Sequence, residues 1–421
     1  MTTLQPQALR SYLAGHDLML FAGVPVVYHC HHFNLFLDQT IDDALGSEAG
    51  EALRFAAARE SAGQLLREVT SAAGAVTPVE RLDIAQRLFA AMGHGRLAFA
   101  ADANGGEARG STLHYGYSWH EKYGSRVKRR TPADAFAAGY GAAALEVAFA
   151  SAPSSMQAQE TECIAKRDAS CFFTFSPGAP ARPLPLVGAP ECARHSQTVF
   201  AGLDEARVEA IAAGLRDFTA GVAGDERGLA QGFGVYVTMH LAGYYNRISY
   251  DALAHVERSA PGSVSVLEDL LRESGHVCVF NTFGGILLSP EWESMVGPLT
   301  GDPQEIVTGC LAIGRALGFG HWTLAEFVPG QRLVVRTPST YETPFYATRY
   351  GRPTRPSDYF LQGAALAIAQ LAHRVDWTTR PQLTEQFYTA LFRGGVPWQA
   401  EQTQCLTRGD VLSEVVVTAL P

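Results

Sequence analysis

At 421 residues, 47% hydrophobic and 18% charged, the chain is too long for one ordinary core and too apolar to be disordered, so two domains of about 150–200 residues each are expected. The formal charge of −9 and the one short basic cluster, Lys128, Arg129 and Arg130, argue against nucleic acid as a partner, since phosphate binding needs gathered Lys and Arg. No run approaches the ~18 apolar residues of a membrane span. Seven widely spaced cysteines do not resemble a disulfide framework, and the start lacks a basic, then apolar leader, so a cytoplasmic location is expected.

In chain order, residues 18–28 read as a strand and 35–45 as a helix. Residues 49–69 and 79–92 carry apolar side chains at helical spacing. Residues 95–100 and 107–117 read as strands of a hairpin around Asn104, Gly105 and Gly106. Residues 133–149 form a helix of small residues suited to close packing on a sheet. Residues 156–163 and 170–175 make a final hairpin. Residues 176–190, with five prolines, read as a linker, followed by a helix at 203–222.

The pattern then repeats. Residues 133–144 (ADAFAAGYGAAA) echo 357–368 (SDYFLQGAALAI), and 157–163 (QAQETEC) echo 399–405 (QAEQTQC). Gly93, His94 and Gly95 answer to Gly318, Phe319 and Gly320, and Tyr123-Gly124 to Tyr350-Gly351. Near the starts, Phe33 and Asn34 are set opposite Tyr245 and Asn246. Such ordered matches predict two copies of one unit: a first domain at 1–180, a linker at 181–202 and a second domain at 203–421. Each copy is expected to be α/β (α+β), an antiparallel sheet with helices packed on it, the two related by a pseudo-twofold axis.

The run 159–163 (QETEC), followed after seven residues by Cys171, resembles the end of a 4-vinyl reductase-like domain, and Tyr123-Gly124 and Gly139-Tyr140 fit the same family. That family includes the sensor half of phenol- and xylene-responsive activators and a bacteriochlorophyll-pathway protein. The resemblance implies a structural zinc site at Glu160, Cys163 and Cys171, with Asp134 where the sensors have a further Cys. The second copy offers Asp358, Gln402, Cys405 and Ser413 there, a set poorly suited to zinc. The sensors' phenol-binding His and Trp fall near Phe89 and Gly110 and are not kept. A nucleotide-binding loop and a helix-turn-helix are absent from the sequence, so no nucleotide cofactor is expected.

The first copy has instead Tyr28, His29, Cys30, His31 and His32. If the strand continues, His29 and His31 share one face and could bind a metal, with His32 as a further donor, or His29 or His31 could act as general base beside a Cys30 nucleophile. His94, His114 and His120 are expected nearby, with Tyr115, Tyr117, Trp119 and Phe89 as walls against a substrate. Imidazole ligands suit Zn, Fe or Cu. In the second copy the aligned positions read as Leu241, Gly243, Phe319, Tyr341 and Ala347. Two functions are thus expected. One is an enzyme acting on a small, partly apolar or aromatic molecule through the first copy. The alternative is a ligand-binding sensor or carrier without catalysis. Either would be a monomeric pseudo-dimer or a homodimer.

Overall fold

The computed structural model describes residues 6–153, 155–179 and 201–421; the linker expected at 181–202 lies outside them but for its last two residues. In the first half, strands β1 (Arg10–Leu13), β2 (Leu18–Phe21) and β3 (Val24–Cys30) lead into helices α1 (His31–Leu45), α2 (Ser47–Ala72) and α3 (Pro78–Ala91). The hairpin β4 (Ala98–Asp102) and β5 (Gly105–Gly110) follows, then α4 (His114–Tyr123), α5 (Ala135–Ala148) and the hairpin β6 (Met156–Glu162) and β7 (Cys171–Pro177). The second half opens with α6 (Glu205–Ala220), β8 (Ala230–Gly232), β9 (Val235–Leu241), α7 (Ala242–Ser259) and α8 (Val264–Cys278). A π-helical turn at Val279–Phe283 joins α8 to α9 (Gly284–Leu288), and α10 (Pro290–Met295) and α11 (Pro303–Leu317) come next. The hairpin β10 (Thr323–Val328) and β11 (Arg332–Thr337), helices α12 (Thr343–Tyr350), α13 (Tyr359–Arg374) and α14 (Glu385–Arg393), and the hairpin β12 (Trp398–Gln404) and β13 (Ser413–Ala419) complete the chain. The fold class is therefore α+β, with antiparallel sheets throughout the described residues.

Two of the three sheets have four strands and the same order, β4-β5-β7-β6 and β10-β11-β13-β12. Their edge strands break register at corresponding places, between Glu160 and Glu162 and between Gln402 and Gln404. The third sheet, β1-β2-β3-β9-β8, draws strands from both halves. At its centre β3 and β9 run antiparallel with Val26 opposite Leu241, Tyr28 opposite Met239 and Cys30 opposite Val237. Both strands have seven residues, and each passes directly into a helix. Local twofold axes of an antiparallel ladder pass between directly opposed residues. An axis between Tyr28 and Met239 exchanges the two strands end for end, and it makes His29 equivalent to His240.

That equivalence corrects the sequence alignment, which set His29 opposite Leu241. The single strand expected at 18–28 is two strands joined by a turn at Ala22 and Gly23, both at positive φ. The strand expected at 107–117 stops at Gly110, where an added Cβ would collide with the side chain of Leu113, and the chain resumes as α4. Tyr115 and Trp119, four residues apart, share the buried face of that helix, and Tyr117 between them is only half-buried. The helix expected from residue 35 begins at His31, and β7 runs to Pro177, into the segment read as linker.

Helix α5 lies close against α2 because its small residues permit it. A Cβ on Gly139 would meet the Phe55 carbonyl, the Ala58 Cβ at 2.7 Å and the Arg59 nitrogen at 2.8 Å. Replacing a helical Gly by Ala ordinarily gains about 0.5–1 kcal/mol. Gly139→Ala is expected instead to lose about 1–3 kcal/mol through overpacking, measured by urea denaturation. Gly262→Ala, with nothing within 4 Å of the new methyl, is the control and should leave the midpoint near that of the parent.

Candidate functional site

The residues named for a metal come together. Asp134 sits at the N-cap of α5, Glu160 precedes the register shift of β6, Cys163 follows that strand and Cys171 opens β7. All four are buried, and one ligand atom from each lies within 4.8 Å of the others. The Cys171 and Cys163 sulfurs are 3.9 Å apart, and Cys171 Sγ is 3.4 Å from Asp134 Oδ2. Backbone amides hold the donors in place: Gly116 N–H donates to Asp134 Oδ2 at 2.8 Å, Asp134 N–H to Glu160 Oε2 at 2.9 Å and Ala133 N–H to Cys163 Sγ at 3.3 Å.

Four acids in so small a buried volume cannot all ionise. The hydrogen bond from Cys171 brings Cys163 down to about 6. Burial, then the charge on Cys163, pushes Asp134 up to about 8 and Glu160 well above its ordinary range. The bond to Cys163, then burial, drives Cys171 upward. Without a cation Asp134, Glu160 and Cys171 keep their protons at neutral pH beside the Cys163 thiolate, and Glu160 Oε1 is left buried with no hydrogen-bond partner. Thiolate and carboxylate donors at this spacing fit a divalent ion such as zinc, which would replace those protons.

The second half closes the same place without charge. Gln402 Nε2 donates to Asp358 Oδ2 at 2.7 Å, Ser413 Oγ also donates to that oxygen, and Asp358 N–H donates to Gln402 Oε1 at 3.2 Å. Gln for Glu and Ser for Cys turn a cation-binding set into a hydrogen-bonded one.

The histidines divide differently from expectation. His94, between two glycines at positive φ after α3, and His114, the first residue of α4, are buried with His240 of β9. The His94 ring stands perpendicular to His240 at 4.8 Å and to His114 at 6.3 Å. Phe136 lies 4.5 Å from His94 and 4.2 Å from His240, and Phe89 stands 5.3 Å from His94. Asn34 Nδ2 donates to His114 Nε2 at 2.9 Å, and the Asn34 carbonyl oxygen accepts from Tyr245 at 2.5 Å. The Tyr115 hydroxyl lies 3.0 Å from His240 Nε2. With Nε2 accepting from Asn34, His114 carries its hydrogen on Nδ1, and the Nδ1 atoms of His94, His114 and His240 have no hydrogen-bond partner. Burial lowers the pKa of all three, His94 to about 3.

His29 faces the other way, into the second half. It stacks on Phe33 at 3.7 Å, lies edge-on to Tyr245, Phe319, Tyr341 and Phe360, and brings Nδ1 to 3.3 Å from Cys278 Sγ. Each half thus lends one histidine to the other's cluster. The i, i+2 pairing of His29 and His31 fails because the chain turns helical at His31. His31 and His32 are half-buried against each other, with His31 Nδ1 at 3.4 Å from the Tyr236 carbonyl and His32 Nδ1 at 3.2 Å from Lys122 Nζ. Among the described residues, the group of three or more His, Cys, Asp or Glu that converges as a metal site is the Asp134 set, and it contains none of these histidines. Cys30 is fully buried, and burial raises its pKa; this is the environment of a packing thiol, not of an activated nucleophile. Of the expected wall residues, Phe89 and Tyr115 join the cluster. Tyr117 rests on Tyr236 and Arg227, Trp119 lies against Tyr123, and His120 is half-buried farther along α4. His240 was hidden by the one-residue error in the repeat register; its signal was a histidine standing the same distance from a helix start as His29.

Five fully buried histidines, His29, His94, His114, His240 and His276, have folded pKa values lowered by burial. A group whose pKa falls on folding contributes stability that is present above its unfolded value and lost below it. Urea midpoints are expected to fall as pH drops through about 6.5, by up to ~1.4 kcal/mol per pH unit for each histidine that stays neutral. The raised carboxyls Asp134 and Glu160 act with the opposite sign, so the informative quantity is the difference from His94→Phe, whose decline should be shallower. Equal slopes would show that His94 does not stay neutral.

No known protein family matches the chain, and none of the curated proteins matches it. Among solved structures, the crystal structure of the phenol-responsive sensory domain of the transcription activator PoxR with phenol is similar over 41% of this chain and 86% of its own, at 13% identity and a TM-score of 0.33.

Proposed function

We propose that the chain is a small-molecule-binding protein built from two fused copies of a 4-vinyl reductase-like unit, with a structural zinc held by Asp134, Glu160, Cys163 and Cys171. The ligand site is the cluster of His94, His114 and His240, walled by Phe89, Tyr115 and Phe136. The observation that carries this reading is the gathering of three neutral imidazoles, with Nδ1 atoms lacking partners, inside an aromatic surround. Buried polar atoms without partners are costly, at about 1–3 kcal/mol each, and a polar ligand group, an oxygen at His114 Nδ1, would relieve that cost. No cationic side chain belongs to the cluster, so a neutral, partly apolar molecule is favoured over an anion. A catalytic role for His29, His31 and Cys30 has no such support, since His31 lies apart on α1 and burial raises the Cys30 pKa. One chain supplies both halves, so a monomer suffices. Among the described residues no helix is long and apolar enough to cross a membrane.

Metal analysis tests the first part. The purified protein should carry one zinc, and Cys163→Ser should carry none and unfold at a lower temperature, because site binding is coupled to folding. Gln402→Glu combined with Ser413→Cys, which copies the first half's donors into the second, should raise the content to two. Zinc retained in full by Cys163→Ser would refute the assignment.

Calorimetry with neutral and anionic aromatic pairs, benzaldehyde and benzoate among them, tests the second part. Neutral members should bind and carboxylates should not. His240→Leu, on the far half's strand, should weaken binding as much as His94→Phe, by about tenfold or more, whereas His32→Ala should not. Full affinity in His240→Leu would remove the composite site.

A further inference from the structure

A different part of the second half is unlike its counterpart. A cavity of about 840 Å³ lies between α8, α13 and β12, with Phe392 and Trp398 on its walls and His276 on its lining. Small-molecule sites span about 300–1,000 Å³.

The equivalent place in the first half can be located from the close approach of helices. An added Cβ on Gly139 would meet the Phe55 carbonyl and the Arg59 nitrogen, and one on Gly363 would meet the Arg272 carbonyl and the His276 nitrogen. Arg59 therefore corresponds to His276, and Glu146 to Gln370, each seven residues beyond its glycine. Arg59 lays its guanidinium over the Phe55 ring at 5.0 Å, donates to the Met156 carbonyl at 2.7 Å and feels the charge of Glu146. Met156 opens β6 as Trp398 opens β12. The first half thus fills the position with an organic cation of its own, stacked on an aromatic ring.

In the second half that cation is gone and a shorter, neutral pair replaces it. His276 Nε2 lies 3.0 Å from Gln370 Oε1. The amide oxygen can only accept, so the ring hydrogen sits on Nε2 and Nδ1 is a bare acceptor. His276 is fully buried, and its Nδ1 has no hydrogen-bond partner. Its ring packs at 3.5 Å from Phe392. The lining carries Glu268, Asp269, Glu273 and Glu401 against two guanidinium groups, Arg272 and Arg355. Both of these are already matched, Arg272 by Asp269 and Gln362 and Arg355 by Glu268 at 3.1 Å. The wall is left net negative.

We propose that this cavity binds a small organic cation, an amidinium, guanidinium or ammonium on a flat apolar body. Its N–H donates to His276 Nδ1, and its body lies against Phe392 and Trp398. Acidic walls and aromatic faces both favour a cation, and either contribution is screened or lost with a neutral analogue. The inference is independent of the histidine cluster of the first half.

Calorimetry on the full chain with benzamidine, phenylguanidine and benzylamine, each against a neutral isostere such as benzamide, tests it. At least one cation should bind with a stoichiometry of one and about tenfold more tightly than its isostere. Glu401→Gln should weaken that binding several-fold. His276→Arg combined with Gln370→Glu, which rebuilds the first half's built-in cation, should abolish it. The absence of saturable binding by all three cations, equal binding of cation and isostere, or undiminished binding in the rebuilt double variant with an unchanged melting temperature would each overturn the proposal.

Discussion

The antiparallel pairing of β3 with β9 is the interaction on which the rest of the molecule depends. Nearly every side chain of the two strands is buried, so the ladder is both a hydrogen-bonded seam and the shared core of the halves. Side chains alternate along a strand, and a slip of one residue would turn His29 and His240 out of their clusters and present their neighbours instead. The register, fixed with Tyr28 opposite Met239, therefore determines which half receives which imidazole. Because the seam is antiparallel, each strand carries its histidine across to the other side. Neither cluster is complete within one half.

The same backbone is finished with different chemistry on its two sides. At the ends of the two four-stranded sheets, Asp134 and Asp358 occupy matching positions and accept or donate through matching amides. The first half surrounds its aspartate with Glu160, Cys163 and Cys171; burial and the neighbouring Cys163 suppress ionisation of Glu160 and Cys171, while Cys163 itself is shifted down. The second uses Gln402 and Ser413, which donate to the carboxylate and need no ion. Removing one partner of such a buried polar group costs far more than replacing the set together, which accounts for two complete solutions and no intermediate. The substitution of the Arg59 and Glu146 pair by His276 and Gln370 follows the same pattern, with one difference: the neutral pair is smaller and leaves a cavity.

Beneath the histidine cluster lies a buried ion network that ties α1 to α2. Arg54, almost wholly buried, holds Asp42 at 2.7 Å and Asp38 at 3.6 Å, while Arg129 binds the other oxygen of Asp42 at 2.7 Å. Tyr244 of the second half reaches Asp38 at 3.3 Å and packs its ring 4.7 Å from His240. Opening one member would strand a buried charge at a cost of about 3–5 kcal/mol. The floor of the cluster is consequently stiff.

The amino-acid sequence by itself determined the α+β class, because that rests on local order: hairpin lengths and a small-residue helix. Asp134, Glu160, Cys163 and Cys171 were singled out by a family resemblance, and the fold brings Asp134 to the other three from well upstream in the chain. The sequence pointed to a strand over 107–117, where aromatic side chains at 115 and 117 alternate as on a sheet, but the chain turns helical at His114 once Leu113 packs at Gly110. It also misplaced the histidines. His29, His31 and His32 are neighbours in the chain, yet the turn from strand to helix at His31 sends them to different surroundings. His240, more than a hundred residues from His94 and His114, reaches them only through the seam. Strand register between distant segments is a property of two packed faces, and no single stretch of sequence contains it.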